Sequence, residues 1–403
     1  MGGGAFGMKL AVVTNILAPY RIPLFEAMAR RVEDFTVFLM AKREENRQWD
    51  IGPVPFRTKV LHGFHHRPPS AEVSLHWNYG VVPALLRANP DIVVSGGFAP
   101  ANIEAYIYCK LFGKAYVGWG EFTLRDGAQS SAIRRALRRW MTRGSTASIA
   151  SSTEALEAYL HYGATRRSVL TSLMPIDVGR FHQEARAFRA TQPYADLRRH
   201  FSQPIIVSVG RLTDRKGFRD LLSIYERVVA EQPEASLVLI GDGQDRPAYE
   251  AIARAQGLHH VHFIGFVKQE ILPRYLALAD VFVFPTLSDT YGAVLAEAMA
   301  VELPVVSSIY AAATADLVQE GVNGYSIVPT EHASAAKRVL DILALSPEDR
   351  REMGRAGYRS VQATDFEPSA EAIVQFLRSA LAGPALADRA DRHDVRPSKA
   401  AVK

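Results

Sequence analysis

Four segments in the second half of this 403-residue chain carry residue types suited to a phosphorylated ligand. The first runs from Gly210 to Gly217 and holds Arg211 and Lys216 after a β-branched run. Arg can grip a diphosphate through two parallel hydrogen bonds, and Lys adds a point charge. The same segment reads equally as a basic surface loop. The second is Ile240 to Gly243, where Gly permits a tight turn or close approach of backbone to ligand. Arg246 stands where a third glycine would complete a dinucleotide fingerprint, so that fingerprint is absent. The third, Phe263 to Val267, can offer backbone groups to a flat base or be a plain core strand and turn.

The fourth segment runs from Asp289 through Thr290, Tyr291, Gly292 and Ala293 to Glu297. Pro285 stops an apolar run and Gly292 opens a helical one. A helix start there presents the amides of Tyr291, Gly292 and Ala293 to an anion. Asp289 and Glu297 then bracket one ligand, one on sugar hydroxyls and one on a ribose diol. Glu297 lies inside the apolar run Ala293–Ala300, where an unpaired carboxylate is costly. For Asp289 the alternative is an Asx-turn.

The elements that must position these residues alternate. Strands are expected at 9–14, 35–40, 91–95, 115–119, 146–150 and 168–173, with helices at 23–32, 99–112, 131–143 and 153–162. The pattern restarts at Pro204 with strands at 204–209, 236–240, 260–264, 281–284, 304–308 and 325–328. Such alternation implies parallel sheets covered on both faces. The fold class is therefore α/β, with two Rossmann-like doubly wound domains. The expected division is 8–175, a linker with one short helix at 176–203, 204–362, a helix at 363–382 and a disordered tail from 383. The Gly-rich start before Met8 is also expected to be disordered, without the pattern of a secretory signal.

Composition narrows the classes. The single Cys109 excludes an internal disulfide, sits in an apolar run as a buried thiol, and fits a reducing compartment. No apolar stretch reaches the length of a membrane span. The net charge of +5 suits anionic ligands or membrane headgroups. The arginines lack the stacking platforms of a nucleic-acid binder, so no nucleic acid is expected.

The carboxylate, seven residues, then Glu297-Ala-Met-Ala, together with the Gly210–Gly217, Gly241–Gly243 and Gly265–Val267 segments in that order, resemble the retaining glycosyltransferases of family 4. The resemblance is strong from Ile205 to Val306. It implies the GT-B fold and transfer of a sugar, with retention, from a nucleoside-diphosphate sugar to a glycan or lipid-linked acceptor. It also implies donor contacts from Gly210, Gly243, Val267, Thr290, Tyr291, Gly292 and Ala293. Arg211 and Lys216 then hold the diphosphate, Glu297 the ribose and Asp289 the transferred sugar. No cofactor and no metal are implied. The helix after Pro368 is implied to cross back to the first domain.

The resemblance departs from the family in the first half. The loop after the first strand ends in Ala18-Pro-Tyr20-Arg21, and Glu121 stands near the place of a frequent family histidine. Tyr20, Arg21 and Glu121 are the acceptor candidates, with Arg21 suited to an anionic group. These departures leave a catalytically inactive scaffold as the alternative function. His62, His65 and His66, near Pro68 and Pro69, read as loop residues. The helix 131–143 sets Ile133, Leu137, Trp140 and Met141 on one face and Arg134, Arg135, Arg138, Arg139 and Arg143 on the other. That pattern suits a core-packed helix with an arginine face toward solvent or anionic lipid. The expected location is cytoplasmic, with peripheral contact at the inner face of the plasma membrane.

Overall fold

β-branched runs such as Ile92–Ser95 and Val281–Phe284 are buried along their whole length, as strands covered on both faces must be. The computed structural model describes residues 7–43, 51–66, 75–125 and 131–383. The start before Gly7, the tail from 384, and Pro68 and Pro69 lie outside the described residues. Contacts divide the chain into two units, one ending at Ser172 and resuming at Phe366, the other Leu173–Asp365.

The first unit is built on a parallel seven-stranded sheet. Its strands are β1 (Lys9–Thr14), β2 (Asp34–Leu39), β3 (Arg57–Val60), β6 (Ile92–Ser95), β7 (Ala115–Gly120), β8 (Ala147–Ala150) and β9 (Val169–Thr171), with the hairpin β4 (Phe64–His66) and β5 (Leu75–Trp77) standing apart. The sheet order is β3-β2-β1-β6-β7-β8-β9, so the winding reverses between β1 and β6. The final helix, Phe366–Ala382, belongs to this unit. Its Phe366, Ile373 and Leu377 share a core with Leu24, Phe25 and Met28 of the helix Ile22–Ala29. Arg31 closes its first turn on Glu367 at 2.6 Å.

The second unit has strands β10 (Ile205–Val209), β11 (Ser236–Ile240), β12 (Val261–Gly265), β13 (Val281–Phe284), β14 (Val305–Ser308) and β15 (Gly324–Ile327). They are all parallel, in the order β12-β11-β10-β13-β14-β15. The reversal falls between β10 and β13, and ligands of such sheets bind beyond the carboxyl ends of the strands at that point.

Two expectations change. The segment 176–203 is not a linker with one helix. It forms two helices, Val178–Arg189 and Gln192–Arg198, on the second unit. Phe181 is fully buried against that unit's core, and Arg198 grips Asp280 at 2.9 Å. The arginines between its apolar positions masked a helical spacing of Val178, Phe181 and Ala185. The histidine stretch is also more than a loop, since Phe64–His66 pairs antiparallel with Leu75–Trp77. Cys109 is buried as expected, and burial pushes its thiol up to about 12. Among the described residues, no helix is long and apolar enough to cross a membrane.

Candidate functional site

In the second unit, the loops after β10, β11 and β12 are bonded in series. Gly210 N donates to the carbonyl of Ile240 at 3.0 Å, and Gly241 N to that of Gly265 at 2.8 Å. Leu212 N reaches the Asp242 carbonyl at 3.0 Å. A Cβ on Gly243 would lie 2.2 Å from the Leu212 carbonyl oxygen, so loop-to-loop approach alone requires glycine there. Val267 is half-buried against the core.

The loops after β10 and β13 meet across the switch point. Leu287 N donates to the Arg215 carbonyl at 2.9 Å, and Thr286 Oγ1 to the same oxygen at 3.3 Å. This zipper carries Lys216 to Asp289, where the ammonium donates to Asp289 Oδ2. Asp289 Oδ1 accepts the Tyr291 amide at 3.2 Å, an Asx-turn that leads into the helix Ala293–Ala300. The expectation of a free Tyr291 amide is therefore corrected: Asp289 occupies it, and the Tyr291 ring is buried. The amides of Ala293 and Val294, in the first helical turn, have no partner within the helix. Thr290 is exposed beside them.

Arg211 is exposed and has no ion-pair partner among the described residues, so its guanidinium is available to an anion. Glu297 is only 9% exposed. Burial pushes its carboxyl up to about 7, against the opposing pull of a hydrogen bond from Gln269 and the charge of Arg180. Gln269 Nε2 donates to Glu297 Oε1 at 3.0 Å. Sequence reading missed Gln269 and Arg180. Gln269 lies two residues beyond Val267 and carries no motif of its own. Lys216 and Asp289 are thus in direct contact. Arg211 stands on the same β10 loop and Glu297 on the helix after Asp289, neither bonded to that pair.

In the first unit, the carboxyl ends of β1 and β7 enclose a pocket of about 200 Å³ lined by Thr14, Asn15, Ile16, Ala18, Tyr20, Arg21 and Glu121. All three acceptor candidates line it. Arg21 Nη2 donates to Glu121 Oε1 at 2.5 Å, and the guanidinium stands 5.5 Å over the Trp119 ring. Arg21 reads from sequence equally as a grip for an anionic acceptor and as a helix-start residue without a ligand, and in the structure its charge is matched by Glu121.

The arginine helix, Ala132–Gly144, also departs from expectation. Ile133 is 81% exposed and Trp140 49%, so its apolar residues do not all face a core. Arg138 is instead half-buried among Phe98, Phe122 and Tyr162, its guanidinium 5.4 to 5.9 Å from their ring centres. Packing into that aromatic cage removes Arg138 from the exposed arginine face of the helix.

Structures similar across nearly the whole chain share this double α/β plan. The HepE protein of Anabaena, solved with UDP and glucose, superposes with a TM-score of 0.70 at 17% identity, covering 92% of this chain and 100% of that one. The fold is GT-B. Within this GT-B chain, residues 195–360 match the family described as Glycosyl transferases group 1, so the segments gathered at the second unit's switch point lie in a domain of that kind. The alpha-D-kanosaminyltransferase of Streptomyces kanamyceticus is 29% identical over 40% of this chain and 42% of its own length. The phosphatidyl-myo-inositol mannosyltransferase of Propionibacterium freudenreichii subsp. shermanii is 31% identical over 56% of this chain and 55% of its own length. The chain thus spans about half the length, or less, of these two relatives.

Proposed function

We propose that the chain is a retaining glycosyltransferase that moves a sugar from a nucleoside-diphosphate donor to a glycan or lipid-linked acceptor. The observation that carries the reading is the Lys216–Asp289 pair beside the first turn of Ala293–Ala300, at the switch point of a group 1 domain. The Lys216 ammonium stands beside a helix start, and Arg211, without an ion-pair partner among the described residues, lies on the same loop as Lys216, a set that suits a pyrophosphate without a metal. The similar HepE structure was solved with UDP and glucose, which is consistent with this class.

In this reading the sugar C1–O bond to the β-phosphate breaks, and Arg211 and Lys216 offset the charge on the departing nucleoside diphosphate. An acceptor hydroxyl forms the new C1–O bond on the same face of the sugar, and its proton passes to the leaving phosphate. Asp289 has one oxygen on Lys216 and one on the Tyr291 amide, so it is held rigidly to accept from sugar hydroxyls. Glu297 receives the ribose diol in place of, or beside, Gln269. The Tyr20–Arg21–Glu121 pocket of the first unit holds the acceptor in this reading. Because Arg21 and Glu121 neutralise each other, the pocket favours a neutral hydroxyl-bearing group over a phosphate.

Peripheral contact with anionic lipid rests on Arg134, Arg135 and Arg139, with Ile133 and Trp140 exposed on the same helix. Thermal-shift screening against nucleoside diphosphates and their sugars tests the donor reading, since a ligand bound only by the folded state raises the melting temperature. A stabilising diphosphate whose effect vanishes in Arg211→Ala supports it. A response unchanged by Arg211→Ala and Lys216→Ala counts against it.

A further inference from the structure

The hairpin β4–β5 has two chemically different faces. His65 and His76 are register partners, with Nδ1 atoms 3.0 Å apart. His76 is buried, so their face turns toward the unit. Phe64 and Trp77 are the next register pair and therefore project from the opposite face. Tyr79 joins them, its ring centre 6.0 Å from that of Phe64. Phe64 is 76% exposed, Trp77 66% and Tyr79 60%, an unusual aromatic cluster to leave in water.

The foot of the hairpin is fastened beside the pocket. The buried Asn78 side chain donates to the Met40 carbonyl at 2.7 Å, and Gly80 N reaches the His62 carbonyl at 3.3 Å. Met40 N donates to the Thr14 carbonyl and Ala41 N to that of Asn15, each at 2.9 Å. Thr14 and Asn15 are walls of the pocket that holds Arg21 and Glu121. The foot of the hairpin is thus tied, through Met40 and Ala41, to the same carboxyl edge of the sheet whose Thr14 and Asn15 wall the pocket.

We propose that Phe64, Trp77 and Tyr79 form a stacking platform for the pyranose rings of a glycan acceptor; this rests on the glycosyl-transfer reading above. The C–H groups on one face of a pyranose carry partial positive charge and meet the negative face of an aromatic ring. The indole N–H and the phenol O–H supply hydrogen bonds to ring hydroxyls at the margin. The described aromatic side chains of this face, Phe64, Trp77 and Tyr79, carry no formal charge. Burial, together with the adjoining His76, lowers the pKa of His65 and so favours its neutral form. A neutral polyhydroxylated ligand therefore fits better than an anionic lipid surface, which matches the arginine helix instead.

The test applies the full chain, Trp77→Ala, Phe64→Ala and Trp77→Phe to an array of pyranose oligosaccharides of two to five residues. UDP-induced thermal shift is measured on the same samples. The expected result is retention of at least one oligosaccharide by the parent chain, weakened tenfold or more by either alanine variant and largely restored in Trp77→Phe, with the UDP shift preserved. Equal retention by parent and alanine variants overturns the platform, as does no retention by a parent chain that responds to UDP. Loss of binding to phosphatidylglycerol vesicles in Trp77→Ala, with glycan retention intact, assigns the face to lipid and also overturns it. A parent chain that binds glycans through these rings yet shows no shift with UDP, nor with any other nucleoside diphosphate in the thermal-shift screen above, would sink the donor reading while leaving the stacking face in place.

Discussion

The Lys216 ammonium is hydrogen-bonded to the Asp289 carboxylate 73 positions away in sequence, at the point where the second sheet reverses its winding. Each side chain is 17% exposed, so the pair is screened from bulk water while still open to a ligand. The pairing assigns the two residues different work. Lys216→Ala removes a phosphate cation and leaves Asp289 without a counter-charge. Its nucleoside-diphosphate affinity should fall roughly 10- to 100-fold, the scale of a charge-assisted hydrogen bond. Asp289→Asn should leave that affinity within about threefold, while kcat/KM for transfer falls on the order of 100-fold. Calorimetry and steady-state kinetics on both variants check the division. Equal losses of diphosphate affinity would contradict it.

Gly217 has φ of 70°, and a Cβ there would lie 2.0 Å from the Pro285 carbonyl oxygen. Gly217→Ala should therefore separate the two loops that bring Lys216 to Asp289. The expected cost is about 2–4 kcal/mol in urea unfolding, together with loss of the diphosphate-induced thermal shift.

Burial raises the Glu297 carboxyl to about 7, so between pH 4.5 and 7 the folded chain holds a proton that the unfolded chain has released. Stability attributable to this group is present at low pH and falls as pH rises through that window. Glu297→Gln should consequently raise the melting temperature at pH 8 and leave it nearly unchanged at pH 4.5. If the carboxylate accepts from a ribose diol, nucleotide affinity in the parent should also rise through pH 7 more steeply than in Glu297→Gln. Parallel pH profiles for the two proteins would exclude that role.

Arg138 and Arg139 are neighbours with separate fates. Arg138 lies in the cage of Phe98, Phe122 and Tyr162, and Arg139 is exposed. Arg138→Ala should lower the melting temperature and leave vesicle binding alone. Combined Arg134→Glu, Arg135→Glu and Arg139→Glu should weaken sedimentation with anionic vesicles, with the remaining binding less sensitive to salt. Salt-insensitive binding by the parent chain would remove the basis for the arginine face.

Sequence alone determined the alternation of strands and helices, because buried β-branched runs and amphipathic spacing are local properties. Val281–Phe284, Pro285 and Gly292 announce a strand, its end and a helix start without any long-range information. Residue chemistry likewise marked Arg211, Lys216, Asp289 and Glu297, since a carboxylate amid alanines and two cations beside glycines are unusual where they stand. Tertiary structure decided which of them meet. Sheet order put the loops after β10 and β13 side by side, gave Asp289 to Lys216 and the Tyr291 amide, and supplied Gln269 to Glu297 from a loop with no signal of its own. It also matched Arg21 with Glu121, drew Arg138 into an aromatic cage, and divided the β4–β5 hairpin into a histidine face and an aromatic one. Charge partners and cage rings come from remote segments, and a one-dimensional pattern carries no distance between them.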